Sequence, residues 1–245
     1  MIIDCISDLH GEFPVLEGGD LLIVAGDALG AQTITAFNYF SEWLNKQDYK
    51  KIICVSGNHD RFIEQLDREQ DEEGYTGLVS DSSEKIECLQ DSGTEFTYLD
   101  EIFSEQDNKF IETGRKTLKI WGSPWTRWFS GVNPKYTAFM LGSEAELAKK
   151  FALIPDDTDI LVTHVPPKGI FDLTRRGERV GSESLVYELG RVRPRLHVFG
   201  HVHECGGGKM EIPFWKSEFD YTICVNASIL NAEYEHVNKP VRVVL

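Results

Sequence analysis

The sequence predicts an α/β layered fold, and two observations carry that expectation. Short apolar runs rich in Val and Ile recur along the 245 residues, at Ile2–Ile6, Leu21–Ala25, Ile52–Val55, Ile160–Thr163, His197–Phe199 and Tyr221–Val225. Runs of this length with little polar interruption fit strands buried on both faces. Between them lie stretches with helical spacing, and such alternation builds a sheet covered by helices.

Each element has its own signal. Thr33 to Asp48 carries Ile34, Phe37, Phe40, Trp43 and Leu44 at steps of three, three, three and one, an amphipathic helix. Ser143 to Ala152 opens on a capping box, Ser143 to Glu146, and Ser182 to Leu189 reads as a further helix. Glu69 to Asn108 is acidic and broken by Gly74, Gly77 and Gly93, which predicts a partly helical excursion with loops. Phe110–Glu112 and Leu118–Trp121 flank Thr113-Gly114-Arg115, which predicts a strand pair turning at the glycine. There is no internal repeat and no Pro-rich linker, so residues 1–245 are expected to form a single domain that contains the excursion.

Composition narrows the function. The hydrophobic share is 41%, the aromatic share 11% and the formal charge −15. That makes for a core of useful size and a surface that repels polyanions, since duplex binding relies on Lys and Arg neutralising phosphates. Long duplex nucleic acid is therefore not an expected partner. The five cysteines form no C-x-x-C pair, and Cys5, Cys54 and Cys224 fall inside strand runs. Free buried thiols suggest a reducing compartment. With MIIDCIS entering a strand directly and no apolar stretch of about 18 residues, the expectation is a cytoplasmic protein without a membrane partner. Oligomeric state is left open.

The polar residues fall in a telling place. The first run ends in Ser7-Asp8-Leu9-His10-Gly11, the second in Gly26-Asp27, and the third in Gly57-Asn58-His59-Asp60. Ile160–Thr163 ends in His164, and His197–Phe199 ends in Gly200-His201-Val202-His203. Ligands bind beyond the carboxyl ends of strands in open α/β sheets, so these groups are expected to form one cluster. In extended chain, residues i and i+2 point the same way, which lets Asp8 and His10 converge on one ion. His201 and His203 share that spacing and sit roughly 7 Å apart along the strand, enough to serve two neighbouring ions. Any one of these motifs alone is an ordinary turn; together, each at a strand end, they predict a metal centre. His197 begins an apolar strand and reads as a hydrogen-bonded core histidine, while His236, beside Glu233 and Glu235, reads as surface.

These motifs resemble the signature of the calcineurin-like metallophosphoesterase superfamily, D-x-H, G-D, G-N-H-[DE], H and G-H-x-H, with every element in order from residue 8 to 203. Gly122-Ser123-Pro124-Trp125-Thr126, Gly200 to Glu204 and Val225-Asn226-Ala227-Ser228 resemble its metallophosphoesterase-domain-containing subfamily, whose members include nucleotide phosphodiesterases. The resemblance implies a four-layer α/β/β/α sandwich of two mixed sheets. It implies Asp8, His10, Asp27 and His203 on one metal and Asp27, Asn58, His164 and His201 on the other, bridged by Asp27. His59 would face the phosphate as a non-ligand, with Asp60 orienting its ring. Arg61 would either hold the phosphate or be solvated.

The chemistry then expected is attack on phosphorus by a hydroxide held between two divalent ions, with His59 stabilising the developing charge or protonating the leaving group. Four imidazoles with mixed oxygen donors favour Mn, Zn or Fe over Mg. The subfamily resemblance tilts the substrate towards small phosphodiesters such as cyclic nucleotides. A phosphomonoesterase, a single-strand nuclease and a non-catalytic scaffold are the alternatives. Trp121, Trp125, Trp128 and Phe129 can form a wall that stacks a base, or a hydrophobic loop core.

Overall fold

The computed structural model describes residues 1–68, 85–104, 109–129, 131, 133–213 and 221–245. Two mixed sheets form its centre. The first has β1 (Ile2–Ile6), β2 (Gly19–Ala25), β3 (Tyr49–Val55), β4 (Ile86–Cys88) and β13 (Val241–Val244), in the order β13-β1-β2-β3-β4. All its pairings are parallel except β1 with β13.

The second sheet has the order β11-β12-β10-β9-β6-β5. Its parallel centre is β12 (Tyr221–Asn226), β10 (Leu196–Phe199), β9 (Ile160–Thr163) and β6 (Lys109–Ser123). The antiparallel edges are β11 (Gly208–Pro213) and β5 (Ser92–Ser104). A small ribbon, β7 (Thr126–Arg127) with β8 (Met140–Leu141), stands apart.

Alternation along the strands explains the layering. Ile3, Cys5, Leu21, Ile23, Ile53 and Val243 of the first sheet pack against Leu118, Ile120, Ile160, Val162, Leu196, Val198 and Val225 of the second. The alternate residues face outwards. Leu22, Val24, Ile52 and Cys54 receive Phe37, Phe40 and Leu44 of α1 (Ile34–Asn45) and Ile63 of α2 (Arg61–Arg68). Leu161, Phe199 and Cys224 receive Leu147 and Phe151 of α3 (Glu144–Phe151) and Leu185, Leu189 and Val192 of α4 (Glu183–Val192). The result is the α/β/β/α sandwich, with a core near 25 cal/mol of stabilisation per Å² of buried apolar surface. Thr33, Ser143 and Ser182 cap α1, α3 and α4 through their hydroxyls. No helix among the described residues is long and apolar enough to cross a membrane.

Two expectations are corrected. Residues 109–123 do not turn at Thr113-Gly114-Arg115; they form one strand that pairs with β5 on both sides of that point. Gly114, at φ +139°, marks a register shift opposite Asp100 and Glu101. A bulge and a turn both call for a glycine, so the local signal is the same. The acidic excursion is also less helical than expected where it is described, since it supplies β4 and β5; residues 69–84 and 105–108 lie outside the described residues. Both strands are sheet edges. β5 buries Phe96 and Tyr98 while Glu95, Thr97 and Leu99 face out, so it lacks the apolar run of a central strand.

Candidate metal centre

The loops that follow the parallel strands of both sheets are stitched into one platform. Main-chain N–H groups of Asp8, His10 and Gly11 donate to the carbonyls of Gly26, Asp27 and Ala28. Gly200 donates to His164, Ala227 to Phe199, and Ile229 to Ser7. Asp8, His10, Asp27 and His201 all adopt positive φ, between 44° and 68°. This is sparsely populated backbone for residues with a Cβ, and it persists only where surrounding structure enforces it. It swings each side chain out of its strand direction and into the shared centre. Gly57 is required by crowding: a Cβ there would stand 2.2 Å from Asp27 Oδ1 and 2.8 Å from the His164 ring.

Asp27 lies at the middle. Its Oδ2 is 3.3 Å from His164 Nε2 and 3.8 Å from His10 Nε2, while Oδ1 accepts the His59 N–H at 2.8 Å. Asp8 Oδ1 is 3.2 Å from His203 Nε2, and both its oxygens accept from the His201 N–H at 3.1 and 3.0 Å. His164 Nε2 also meets Asn58 Oδ1 at 3.1 Å and His201 Nδ1 at 3.3 Å. Spacings of 3.1–3.3 Å match the donor-to-donor edges, about 3.0–3.4 Å, of an ion with bonds of roughly 2.0–2.1 Å.

The other ring nitrogens are tied down behind. His164 Nδ1 meets the Ala25 carbonyl at 3.0 Å, and His203 Nδ1 meets the Asn231 carbonyl at 3.1 Å. Each contact favours a proton on Nδ1 and turns an Nε2 lone pair inwards, as for a metal-binding histidine. His10 Nε2 is buried without a hydrogen-bond partner among the described residues, although it stands between Asp8 and Asp27. An orphaned buried nitrogen is costly, and a divalent ion would satisfy it. Among the described residues, three donor triads lie within 4.8 Å: Asp8–His10–His203, His10–Asp27–His59, and Asp8–Asp27–His164. The residues fit a pair of divalent ions.

Charge follows the same map. Burial pushes the Asp8 carboxyl up, but the facing His203 and then His164 outweigh it and hold it at about 2. Burial opposes the His164 cation, yet Asp27 and Asp8 raise it to about 9. Burial lowers His10 to about 4 and His201 to about 3. Carboxylates held ionised beside imidazoles make a site that stabilises positive charge.

A family model described as calcineurin-like phosphoesterase matches residues 1–205. The chain belongs to the calcineurin-like phosphoesterase family. It is thereby a metal-dependent phosphoester hydrolase with a dinuclear divalent metal site. This phosphoesterase is 35% identical over 245 residues to the human and the mouse "Metallophosphoesterase domain-containing protein 1", covering 97% of this chain and 68% of each relative. The protein TT1561 of Thermus thermophilus shares the fold, with a TM-score of 0.54 at 14% identity, over 93% of this chain and 90% of that one.

Among the site residues expected from the sequence, Asp8, His10, Asp27, Asn58, His59, His164, His201 and His203 converge. One expectation changes, at Asp60, and the alternatives left open for Arg61 and Trp125 are narrowed. Asp60 does not orient the His59 ring; its buried carboxylate accepts the N–H groups of Gly57, Ala28 and Leu29 at 2.8, 3.1 and 3.1 Å. It clamps the loops after β2 and β3 instead, and burial, then Asp27, carries it up to about 7. Arg61 donates to the Pro134 carbonyl at 3.1 Å, which draws its guanidinium to the loop that carries Tyr136. Trp125 packs against Phe139, lies under Lys150 and donates to Asp91 at 2.7 Å, so its indole belongs to the packing around β7 and α3. As expected, His197 is fully buried, 2.9 Å from Thr163 Oγ1, and His236 is exposed.

Several positioning residues escaped the sequence reading. Gln32 gives its amide N–H to the His59 carbonyl and accepts the Phe62 N–H at 2.8 Å, which pins the turn into α2. The Tyr136 ring stacks on His59 at 4.2 Å, and its carbonyl accepts from Asn58 at 3.3 Å. Asn231 organises a tight loop by accepting from Glu233 and Glu235, each at 2.9 Å. That loop places Tyr234 5.0 Å from both His10 and His203. Tyr234 takes a positive φ of 62°, a backbone state that no local residue pattern announces.

Proposed function

We propose that this phosphoesterase is a phosphodiesterase acting on small phosphodiesters such as cyclic nucleotides. Asp8, His10, Asp27 and His203 would hold one divalent ion, and Asp27, Asn58, His164 and His201 the other, with Mn, Zn or Fe as the metal. The observation that carries this reading is the Asp27 carboxylate set between His10 and His164, where one group can serve both donor sets. When bound, the two ions supply positive charge for the phosphoryl oxygens and acidify the water that attacks phosphorus. His59, held by its main chain to Asp27 and by its ring to Tyr136, supplies the group that stabilises the developing charge or protonates the leaving oxygen.

A small substrate is favoured by the surroundings. A cleft of about 520 Å³ beside His203 is bounded by Arg175, Glu204, Asn231, Glu233 and Asn238. Arg175 is engaged by Glu233 at 2.9 Å, and the cleft walls add no net positive charge that would track a polyanion. The size suits a ligand of nucleotide scale. The likeness to "Metallophosphoesterase domain-containing protein 1" supports the same chemistry.

The test compares bis-p-nitrophenyl phosphate with p-nitrophenyl phosphate on Mn- and Zn-loaded protein, followed by a panel of cyclic and linear nucleotides. A higher kcat/KM on the diester is expected. Preference for the monoester would make the protein a phosphomonoesterase, and full turnover after exhaustive chelation would remove the metals from the reaction.

A further inference from the structure

The centre is closed on one side and open on the other. Asp8, Asp27, Asn58 and His164 are at most 4% exposed, so the floor is sealed by the two sheets. The accessible side is a row of rings. Tyr136 stacks on His59 with 16° between planes and centroids 4.2 Å apart. His59 meets His10 edge-on at 4.6 Å, and His10 meets Tyr234 edge-on at 5.0 Å. The tyrosines at the two ends are 36% and 54% exposed. Tyr136 and Tyr234 thus stand at the two ends of a row of rings whose middle is His59 and His10.

Both tyrosines are held in place. Tyr136 closes a helical turn capped by Asn133, whose side chain accepts from Lys135. Tyr234 sits in left-handed backbone that its own ring does nothing to favour, braced by its N–H to the Asn231 carbonyl at 2.9 Å. A β-carbon-bearing residue held at positive φ with about half its surface in solvent is unusual, and strain of this kind collects at working sites. A phosphodiester carries organic groups on both sides of phosphorus, whereas a monoester carries one. An aromatic ring at each end of the row matches the first.

We propose that Tyr136 and Tyr234 are substrate-positioning residues that bracket the phosphoryl group and hold the two organic substituents of a diester by ring stacking. This rests on the diester reading above. Stacking of one flat substituent on one ring is typically worth about 1–3 kcal/mol, or roughly 5- to 150-fold in affinity.

The test is equilibrium binding by calorimetry on Mn-loaded protein, with diphenylphosphinate and dimethylphosphinate as unreactive diester mimics. They share the anion and differ in the rings. Wild-type protein should bind the diphenyl compound at least about tenfold more tightly. Tyr136→Ala and Tyr234→Ala should each lose about fivefold or more for the diphenyl compound and under about twofold for the dimethyl one. Tyr136→Phe and Tyr234→Phe should restore the preference, and metal content should be unchanged throughout. Equal binding of the two compounds by wild type, or equal losses on both in the alanine variants, would overturn the proposal. Binding is read without turnover, so a protein that stacks the rings yet fails to cleave bis-p-nitrophenyl phosphate would sink the diesterase reading alone.

Discussion

The floor of the metal centre and its rim are built by different means. Asp8, Asp27 and His164 follow β1, β2 and β9, central parallel strands whose pairing fixes where each one ends. Tyr136 and Tyr234 stand on turns at 134–136 and 231–235, tied by side-chain caps and short-range hydrogen bonds. A floor of this kind sets which ions are held and how their charge is used. A rim of this kind sets what reaches them. Substitutions should accordingly separate into losses of metal and losses of selectivity.

The largest effect is expected at Asp27. Asp27→Ala removes the carboxylate set between His10 and His164, so metal content measured by elemental analysis should fall for both ions and turnover by more than about a thousandfold. Retention of both ions would break the bridging assignment. Next comes His59, which lies within ligand range of His10 and Asp27 yet is assigned to the reaction. His59→Ala should keep both metals and slow turnover by about 10²–10⁴-fold. Loss of one ion instead would move His59 from the reaction to the floor.

Asn231→Ala should have a smaller consequence. It unties the loop whose carbonyl faces His203 Nδ1, so affinity for one ion should fall about 10- to 100-fold while the fold persists. Competition with a fluorescent chelator measures this. The mildest effect is that of pH. His164 is raised from 6.5 to about 9 beside Asp27, so it carries a proton at pH 7 that a metal must displace. Metal affinity should therefore rise between pH 7 and 9, with protons released on uptake in calorimetry. In chelated protein the same shift contributes stability that is fully present below pH 6.5 and lost as pH rises through about 9. A flat profile over that range would show that Asp27 does not hold the His164 proton.

The difference between floor and rim also accounts for what sequence reasoning could reach. Buried parallel strands must be apolar along their length, so the polar residue that ends each one stands out, and β1, β2, β3, β9 and β10 were readable with their terminal Asp, Asn and His. The edges β4, β5, β11 and β13 are short, alternating or half-exposed, and carry no such contrast. Gly114 illustrates the limit, since one glycine serves a turn or a bulge depending on the length of its partner strand.

By itself the sequence determined the alternation of strands and helices and the chemical identity of the Asp, Asn and His side chains that meet at the strand ends. Both are written as local patterns of residue type that burial and metal chemistry restrict. Only the tertiary structure decided that Asp60 clamps loops and leaves the His59 ring to Tyr136, that Trp125 faces Asp91 and Phe139, and that the Asn231 loop supports His203. Most of those pairings join residues tens of positions apart through single hydrogen bonds or ring contacts. No periodicity in the chain records a contact of that kind; it exists only once the loops at the strand ends are packed together.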